Sequence, residues 1–329
     1  MDNAGHILVV VDHAHGVAQT DGQHLVMHGQ PFTKVMARRA GLPREQLDLL
    51  RRTGAVRRVL RDVYLDAAVP DDVVSRSAAV ALVLPDGAAI GRRTAAWLLG
   101  VDAWPDVAPQ RSRPVECLVP RGRQPVRRPG VRCFAADLTP EDVVTVGSVL
   151  ATTPLRTAVD ALRWLRPHHG LGTADALAHL KLVDPAQVLD EVDRWRKYPG
   201  IAQARYLAHL IEPATESFGE SATRLRIIDA GLPRPIVQVE ILGPDGVPLW
   251  RLDLGWPDHR KAVEYDGEKY HSSDHDRNHD RARREAIERG FGWEIYVARK
   301  EHVYGKDVSL EVAAAYMLGV QPVTPRRKW

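Results

Sequence analysis

Apolar side chains repeat with a helical period in two short segments near the start of the chain, residues 34–40 and 44–53. A glycine follows each segment and is expected to end the helix there. Residues 56–60 and 63–65 then alternate apolar and polar side chains, as the two strands of a tight hairpin do. Two helices joined by a turn and followed by a hairpin predict a winged helix-turn-helix.

A middle region of helices and strands follows. It begins with apolar helical runs at 73–84 and 91–99, and two β-like runs at 115–119 and 131–135 come next. From Thr153 to residue 210 the apolar spacing is again helical. This region is expected to separate the winged helix from a C-terminal domain.

The last third of the chain has a different order of elements. It predicts a helix at 214–230, strands at 236–241, 247–254 and 261–265, a charged helix at 274–289, a strand at 293–298 and a closing helix at 308–318. The predicted fold class is therefore mixed α/β. We place the domain boundaries at 1–68 for the winged helix, 69–212 for the helical and β middle region, and 213–329 for a C-terminal α/β domain.

Length and composition limit the class of protein. A chain of 329 residues is too long for one typical domain, and a hydrophobic content of 44% is enough for ordinary buried cores. The apolar run at 7–11 is too short for a signal peptide or a membrane span. We therefore expect a cytoplasmic protein that does not enter a membrane, and the arginine- and alanine-rich composition is typical of a high-GC bacterial source.

Two cysteines, Cys117 and Cys133, give neither a disulfide framework nor the spacing of a zinc site. They lie in the two β-like runs of the middle region, where they are candidates for neighbours across two strands. A reducing cytosol disfavours a disulfide between them.

The distribution of charge is more informative than the net charge of +3. Arginines are dense at residues 38–61 and again at 111–132, and few acidic residues lie within either stretch. A basic helix-turn-helix is typical of a protein that binds DNA. A solvated arginine face on a small domain remains the alternative.

Carboxylates gather on the two strands around residue 260. Asp253 lies near the end of the first strand, while Glu264 and Asp266 share one face of the second, and His271 follows closely. Crowded carboxylates repel one another unless a positive charge lies among them, and oxygen ligands are those that Mg²⁺ prefers. We therefore expect a Mg²⁺ or Mn²⁺ site, with His271 as a candidate general base.

The stretch Trp250–His271 resembles the very-short-patch-repair (Vsr) endonuclease-like branch of the PD-(D/E)XK nucleases. The resemblance implies a restriction-endonuclease-like domain in which Asp253 and Glu264 bind the metal and His271 works near the attacked phosphate. Asp266 stands where the superfamily usually has lysine, which leaves the general base open.

Glu220 is a further candidate for this site. In the PD-(D/E)XK architecture an acidic residue on the first core helix often reaches the metal, and Glu220 lies on the predicted helix at 214–230. The alternative is a surface ion pair between Glu220 and Arg224, four residues later. On the charged helix, Arg283 and Arg284 are expected to face phosphate or solvent.

The N-terminal segment at 31–65 resembles the winged helix of AbiEi-type antitoxins, and the middle region at 69–212, with its block at Thr153–Asp160, resembles the part that follows the winged helix in such proteins. The resemblance implies that the second helix enters the major groove of DNA. The residues expected to reach DNA are Arg44, Gln46, Arg51 and Arg52 on the helix, and Arg57, Arg58 and Arg61 on the wing.

These observations support a metal-dependent DNA endonuclease that a winged helix positions on DNA. The alternative is a non-catalytic, antitoxin-like transcriptional regulator with a degenerate nuclease fold, and cleavage of RNA is a third, weaker hypothesis. We expect DNA as the partner and no organic cofactor, and the sequence is compatible with a homodimer.

Overall fold

The computed structural model of the protein describes residues 29–104, 113–125, 127, 129–267 and 274–321, without the side chains of 274–279. His271 therefore lies outside the described residues. The fold is mixed α+β, as predicted. No helix of the described residues combines the length and the apolar character needed to cross a membrane.

The chain divides into two compact units, Met1–Thr157 and Ala158–Trp329. The division lies inside the middle region of the sequence prediction, whose boundaries were set after residues 68 and 212. Each unit has its own buried core and is described by itself.

The first unit begins with a segment that we term the helix–hairpin module. Its elements are β1 (Phe32–Thr33), α1 (Lys34–Arg39), α2 (Arg44–Arg52), β2 (Val56–Leu60) and β3 (Val63–Asp66), and its strands are ordered β1-β3-β2. The Met36 N–H donates to the Thr33 hydroxyl, which caps α1. Gly41 then takes a φ of +84°, which favours glycine and ends the helix. Leu47, Leu50 and Tyr64 are buried in the core of the module.

The rest of the first unit packs helices against a second sheet. Its elements are α3 (Val73–Ala81), β4 (Ala89–Ile90), α4 (Arg92–Leu98), β5 (Val115–Pro120), β6 (Val131–Ala136), β7 (Val143–Val146) and β8 (Val149–Thr152). Among the described residues these strands are ordered β6-β5-β4-β8-β7, and β5 and β6 are parallel. Ile90, Cys117 and Ala151 lie on strands of this sheet, and their side chains are part of the buried core.

Helices form the first half of the second unit. They are α5 (Pro154–Trp164), which contains the division point, α6 (Pro167–His179), α7 (Pro185–Arg194), α8 (Ile201–Ala208) and α9 (Phe218–Asp229).

A four-stranded sheet of described residues forms the second half. Its elements are β9 (Ile236–Leu242), β10 (Pro248–Trp256), β11 (Lys261–Asp266), α10 (Asp274–Phe291), β12 (Glu294–Arg299), α11 (Lys300–Tyr304) and α12 (Ser309–Met317). The strand order is β12-β11-β10-β9, with β11 parallel to β12 and the other neighbours antiparallel. The elements predicted for this part of the sequence are therefore present in the predicted order.

Helix α9 is almost wholly buried and carries two buried arginines. Arg224 is 0% exposed and forms an ion pair of 2.7 Å with Asp175 on α6. Arg226 is held by Glu311 on α12 and by the Val303 carbonyl. The expected surface pairing of Arg224 with Glu220 is therefore wrong, because the guanidinium of Arg224 lies inside the unit on a carboxylate distant in sequence.

We expect Asp175→Ala to lower the free energy of unfolding by about 3–5 kcal/mol, because it leaves the charge of Arg224 buried without its carboxylate. Urea unfolding followed by circular dichroism measures this loss. The matched control is Asp193→Ala, which breaks the ion pair between Asp193 and Arg205. The side chain of Asp193 is 59% exposed and that of Arg205 is 41% exposed. The control should cost about 1 kcal/mol or less. Equal losses in the two variants would contradict the structural role of the buried pair.

Candidate functional site

Three of the predicted acidic residues converge in the second unit, and we call Glu220, Asp253 and Glu264 the acidic cluster. Leu254 on β10 is opposite Val263 on β11, so Asp253 and Glu264 are the next residues on these antiparallel strands. Glu220 lies near this pair, because its Oε2 accepts from Gln238, which is opposite Asp253 in the register of β9 and β10. The negative charges of Glu220 and Glu264 both raise the pKa of Asp253. Asp253 and Glu264 are therefore neighbours, as the sequence predicted.

Asp253 is the most perturbed member of the acidic cluster. Burial, followed by the charge of Glu220, raises its pKa from 3.8 to about 7. The Tyr265 N–H donates to its Oδ2 at 2.9 Å and partly offsets this rise. Burial also raises the pKa of Glu220, although the Glu216 N–H donates to Glu220 Oε2. Perturbed carboxyl groups of this kind are typical of functional sites.

The positive charge beside the acidic cluster belongs to helix α10. Arg283 Nη2 lies 2.5 Å from Glu264 Oε1, and Arg284 Nη1 lies 3.5 Å from Glu264 Oε2. These two arginines therefore bind Glu264, whereas the sequence led us to expect that they face phosphate or solvent. Among the described residues, no group of three or more histidine, cysteine, aspartate and glutamate side chains is arranged to hold a metal ion.

Gln238 on β9 is a further residue of the site, which sequence reasoning missed. Its φ is +55°, a left-handed conformation that is unfavourable for a non-glycine residue within a strand. Its amide donates to Glu220 Oε2 at 2.9 Å. Backbone strain of this kind persists where the surroundings require it, often at functional sites. A glutamine in an alternating strand gives no sequence signal of this conformation.

Asp266 and His271 are the remaining predicted members of the site. Asp266 lies two residues beyond Glu264 on β11, where Arg299 of β12 is its register partner. Its side chain is half-buried. His271 lies outside the described residues, so its predicted role in catalysis stays a prediction.

The predicted DNA-contacting residues of α2 are all exposed: Arg44, Gln46, Arg51 and Arg52. Leu47 and Leu50 on the same helix are buried, so the polar residues face outward. Asp48 pairs with Arg44 at 3.8 Å and with Arg51 at 3.1 Å.

Two exposed arginines at the end of α1, Arg38 and Arg39, extend this basic character beyond α2. Sequence reasoning noted the arginine density but did not single out these two. Their position in the last turn of a helix before a tight turn was the available signal.

The hairpin arginines Arg57 and Arg58 are bonded to neighbouring groups of the first unit. Arg57 Nη2 donates to the carbonyls of Val69 and Pro70, both at 3.2 Å, and the side chain pairs with Asp71. Arg58 Nε donates to the Leu60 carbonyl. Both arginines line a small cavity of the first unit that also contains Trp97, Trp104 and Arg113.

Arg61 at the hairpin turn is exposed, and its side chain lies against Gly130. Of the three arginines predicted on the wing, it is therefore the one that the structure leaves at the surface. Arg57 and Arg58 are held against neighbouring elements of their own unit.

A protein of Mycobacterium tuberculosis is similar to most of the chain. This protein, named uncharacterized protein Rv2248 in strain H37Rv and MT2308 in strain CDC 1551, is 33% identical over 254 residues. The similarity covers 77% of this chain and 89% of the relative. The chain belongs to the family of Rv2248.

Within this Rv2248 family member, residues 87–210 match the model of the AbiEi antitoxin C-terminal domain. An AbiEi-type domain is thus confirmed; the match lies after the winged-helix segment at 31–65 and within the middle region at 69–212. The crystal structure of RV2827C protein from Mycobacterium tuberculosis covers 66% of this chain and 84% of its own, at 15% identity and a TM-score of 0.30. That likeness is too low to support any argument.

We expect the contribution of Asp253 to the stability of the protein to fall as the pH rises from about 4 to about 7. Its pKa is 3.8 ordinarily and about 7 in the folded chain, so over this interval the folded state holds a proton that the unfolded chain has released. Asp253→Asn removes the cost of ionising the buried carboxyl. At pH 8 the variant should be more stable than the wild type by up to about 4 kcal/mol, since one pKa unit corresponds to about 1.4 kcal/mol.

Urea unfolding at several pH values measures this difference, which should shrink as the pH falls toward 4. Glu240→Gln, which changes an exposed carboxyl on β9, is the matched control and should show no such trend. A gain in Asp253→Asn that is independent of pH would contradict the explanation.

Proposed function

We propose that the protein is a DNA-binding regulator of the antitoxin type, and that helix α2 makes its principal DNA contacts. The AbiEi-type domain at 87–210 supports the antitoxin class. The observation that carries the proposal is the outward-facing arginines of α2, a helix whose Leu47 and Leu50 are buried in the helix–hairpin module. The order of two helices and a hairpin in this module supports the interpretation as a winged helix.

In this proposal α2 lies in the major groove of DNA, as the second helix of a helix-turn-helix does. Arg52 and Gln46 are exposed for contacts with phosphates and base edges. Asp48 orients the side chains of Arg44 and Arg51 through its two ion pairs. Arg57 and Arg58 are not part of the proposed surface, because they are bonded within their own unit.

We expect Arg52→Ala to weaken DNA binding by about five- to 150-fold, since a direct contact between arginine and a base is worth roughly 1–3 kcal/mol. The full chain is titrated against double-stranded oligonucleotides that the wild type has selected from a random library. The dissociation constant is then measured at several salt concentrations. The slope of its logarithm against the logarithm of salt concentration should fall by about one if Arg52 contacts phosphate.

Arg205→Ala is the matched control, because Arg205 is a half-buried arginine of the second unit that is paired with Asp193. It should leave the dissociation constant unchanged. Equal effects of the two substitutions, or a wild type that selects no DNA, would overturn the proposal.

Phosphodiester hydrolysis is the second candidate function, and the convergence of Glu220, Asp253 and Glu264 favours it. The oxygen donors have the chemistry that Mg²⁺ prefers. The described arrangement does not itself fit a divalent cation, however, because both oxygens of Glu264 lie on arginine side chains.

Plasmid cleavage distinguishes the two candidates. If the protein is a regulator, supercoiled plasmid and a labelled RNA stay intact with Mg²⁺, Mn²⁺ or EDTA, while oligonucleotide binding persists. Cleavage that is lost in Asp253→Asn and Glu264→Gln, and kept in the control Glu240→Gln, would establish the hydrolase instead. Folding of each variant is checked by circular dichroism.

A further inference from the structure

The two cysteines of the chain face each other across strands β5 and β6. Cys117 and Cys133 are direct register partners in this parallel pair, so their side chains point to the same face of the sheet. Both are free thiols. The sequence had marked them as candidates for neighbours across strands, and the structure confirms this placement.

The two thiols differ in their access to solvent. Cys117 is 0% exposed and lies in the core of the first unit. Its burial, together with the neighbouring Cys133, raises its pKa to about 12. Cys133 is only half-buried and lies on β6, which ends the five-stranded sheet of described residues. A reagent from solvent therefore meets Cys133 first.

The backbone geometry allows a bond between the two sulfur atoms. Neighbouring strands lie about 4.8 Å apart, which is within the range of about 4.4–6.8 Å between the Cα atoms of a disulfide. In a disulfide the two Cβ atoms lie about 3.8 Å apart, which is less than the spacing of neighbouring strands, so β6 must shift slightly toward β5. A strand at the end of a sheet makes this shift more easily than a central strand, because it is held on one side.

We propose that Cys117 and Cys133 form a covalent modification site, in which a hydroperoxide oxidises the two thiols to an intramolecular disulfide. The Cys133 thiolate attacks the peroxide oxygen and becomes a sulfenic acid, releasing water once the leaving oxygen has taken up a proton. The Cys117 sulfur then attacks the Cys133 sulfur and forms the S–S bond. The sulfenic hydroxyl group of Cys133 takes up the proton of the Cys117 thiol and leaves as a second water. In sum, two thiols and one hydrogen peroxide give one disulfide and two waters.

The side chains beside the pair do not compete with this chemistry. Glu116 and Arg132 precede the two cysteines on their strands and therefore point to the opposite face of the sheet. Glu116 is moreover engaged by Arg93 on α4, through the backbone N–H and the guanidinium. The cysteine pair is thus a dithiol site, and it does not depend on the proposed function.

The test uses the reduced, folded full chain treated with hydrogen peroxide. Thiols are counted with Ellman's reagent after denaturation, and the intact mass is measured. We expect the count to fall from two to zero, with a mass loss of two hydrogens and a peptide that links Cys117 to Cys133. Dithiothreitol should restore both thiols.

Cys133→Ser serves as the matched variant and keeps the buried Cys117. Its thiol should react much more slowly than the wild-type pair and form no internal link. Both thiols surviving in the wild type, disulfide-linked dimers, oxidation of Cys133 to a sulfinic acid beside a free Cys117, or a link formed only in urea would each overturn the proposal.

Discussion

A buried charge must have a partner, and helix α9 shows how the second unit meets this requirement. Arg224 and Arg226 are both buried on this helix, and their carboxylate partners lie on α6 and α12, distant in sequence. The same helix presents Glu220 to Asp253. The position of the acidic cluster thus depends on ion pairs that hold α9 in the core, so the packing of the unit and the candidate site share one structural element.

The same requirement explains the state of the acidic cluster. Arg283 and Arg284 of α10 place positive charge at Glu264, where the sequence led us to expect a divalent cation. An arginine that is part of the chain supplies this positive charge without a bound ion. This arrangement does not favour a resident metal, and the AbiEi-type domain supports the regulator that we propose rather than a nuclease.

Local patterns predicted much of the fold. Helix caps, glycine positions and alternation located α1, α2 and the hairpin, because these signals depend on residues within a few positions of each other. The convergence of Asp253 and Glu264 was predicted for the same reason, since a short turn pairs two adjacent strands. The neighbourhood of Cys117 and Cys133 also followed from two short β-like runs.

Tertiary structure alone decided how the longer polar side chains are used. Arg224 has the sequence context of a surface residue, yet packing buries it on Asp175, 49 residues away. Arg283 reaches Glu264 and Arg57 reaches Asp71 for similar reasons. A long flexible side chain can satisfy its charge with any partner that the fold brings near, so local spacing does not identify that partner. The sequence by itself therefore determined the helices, the strands and the residues that pair across a hairpin. The packing of those helices and strands determined which charged side chain neutralises which.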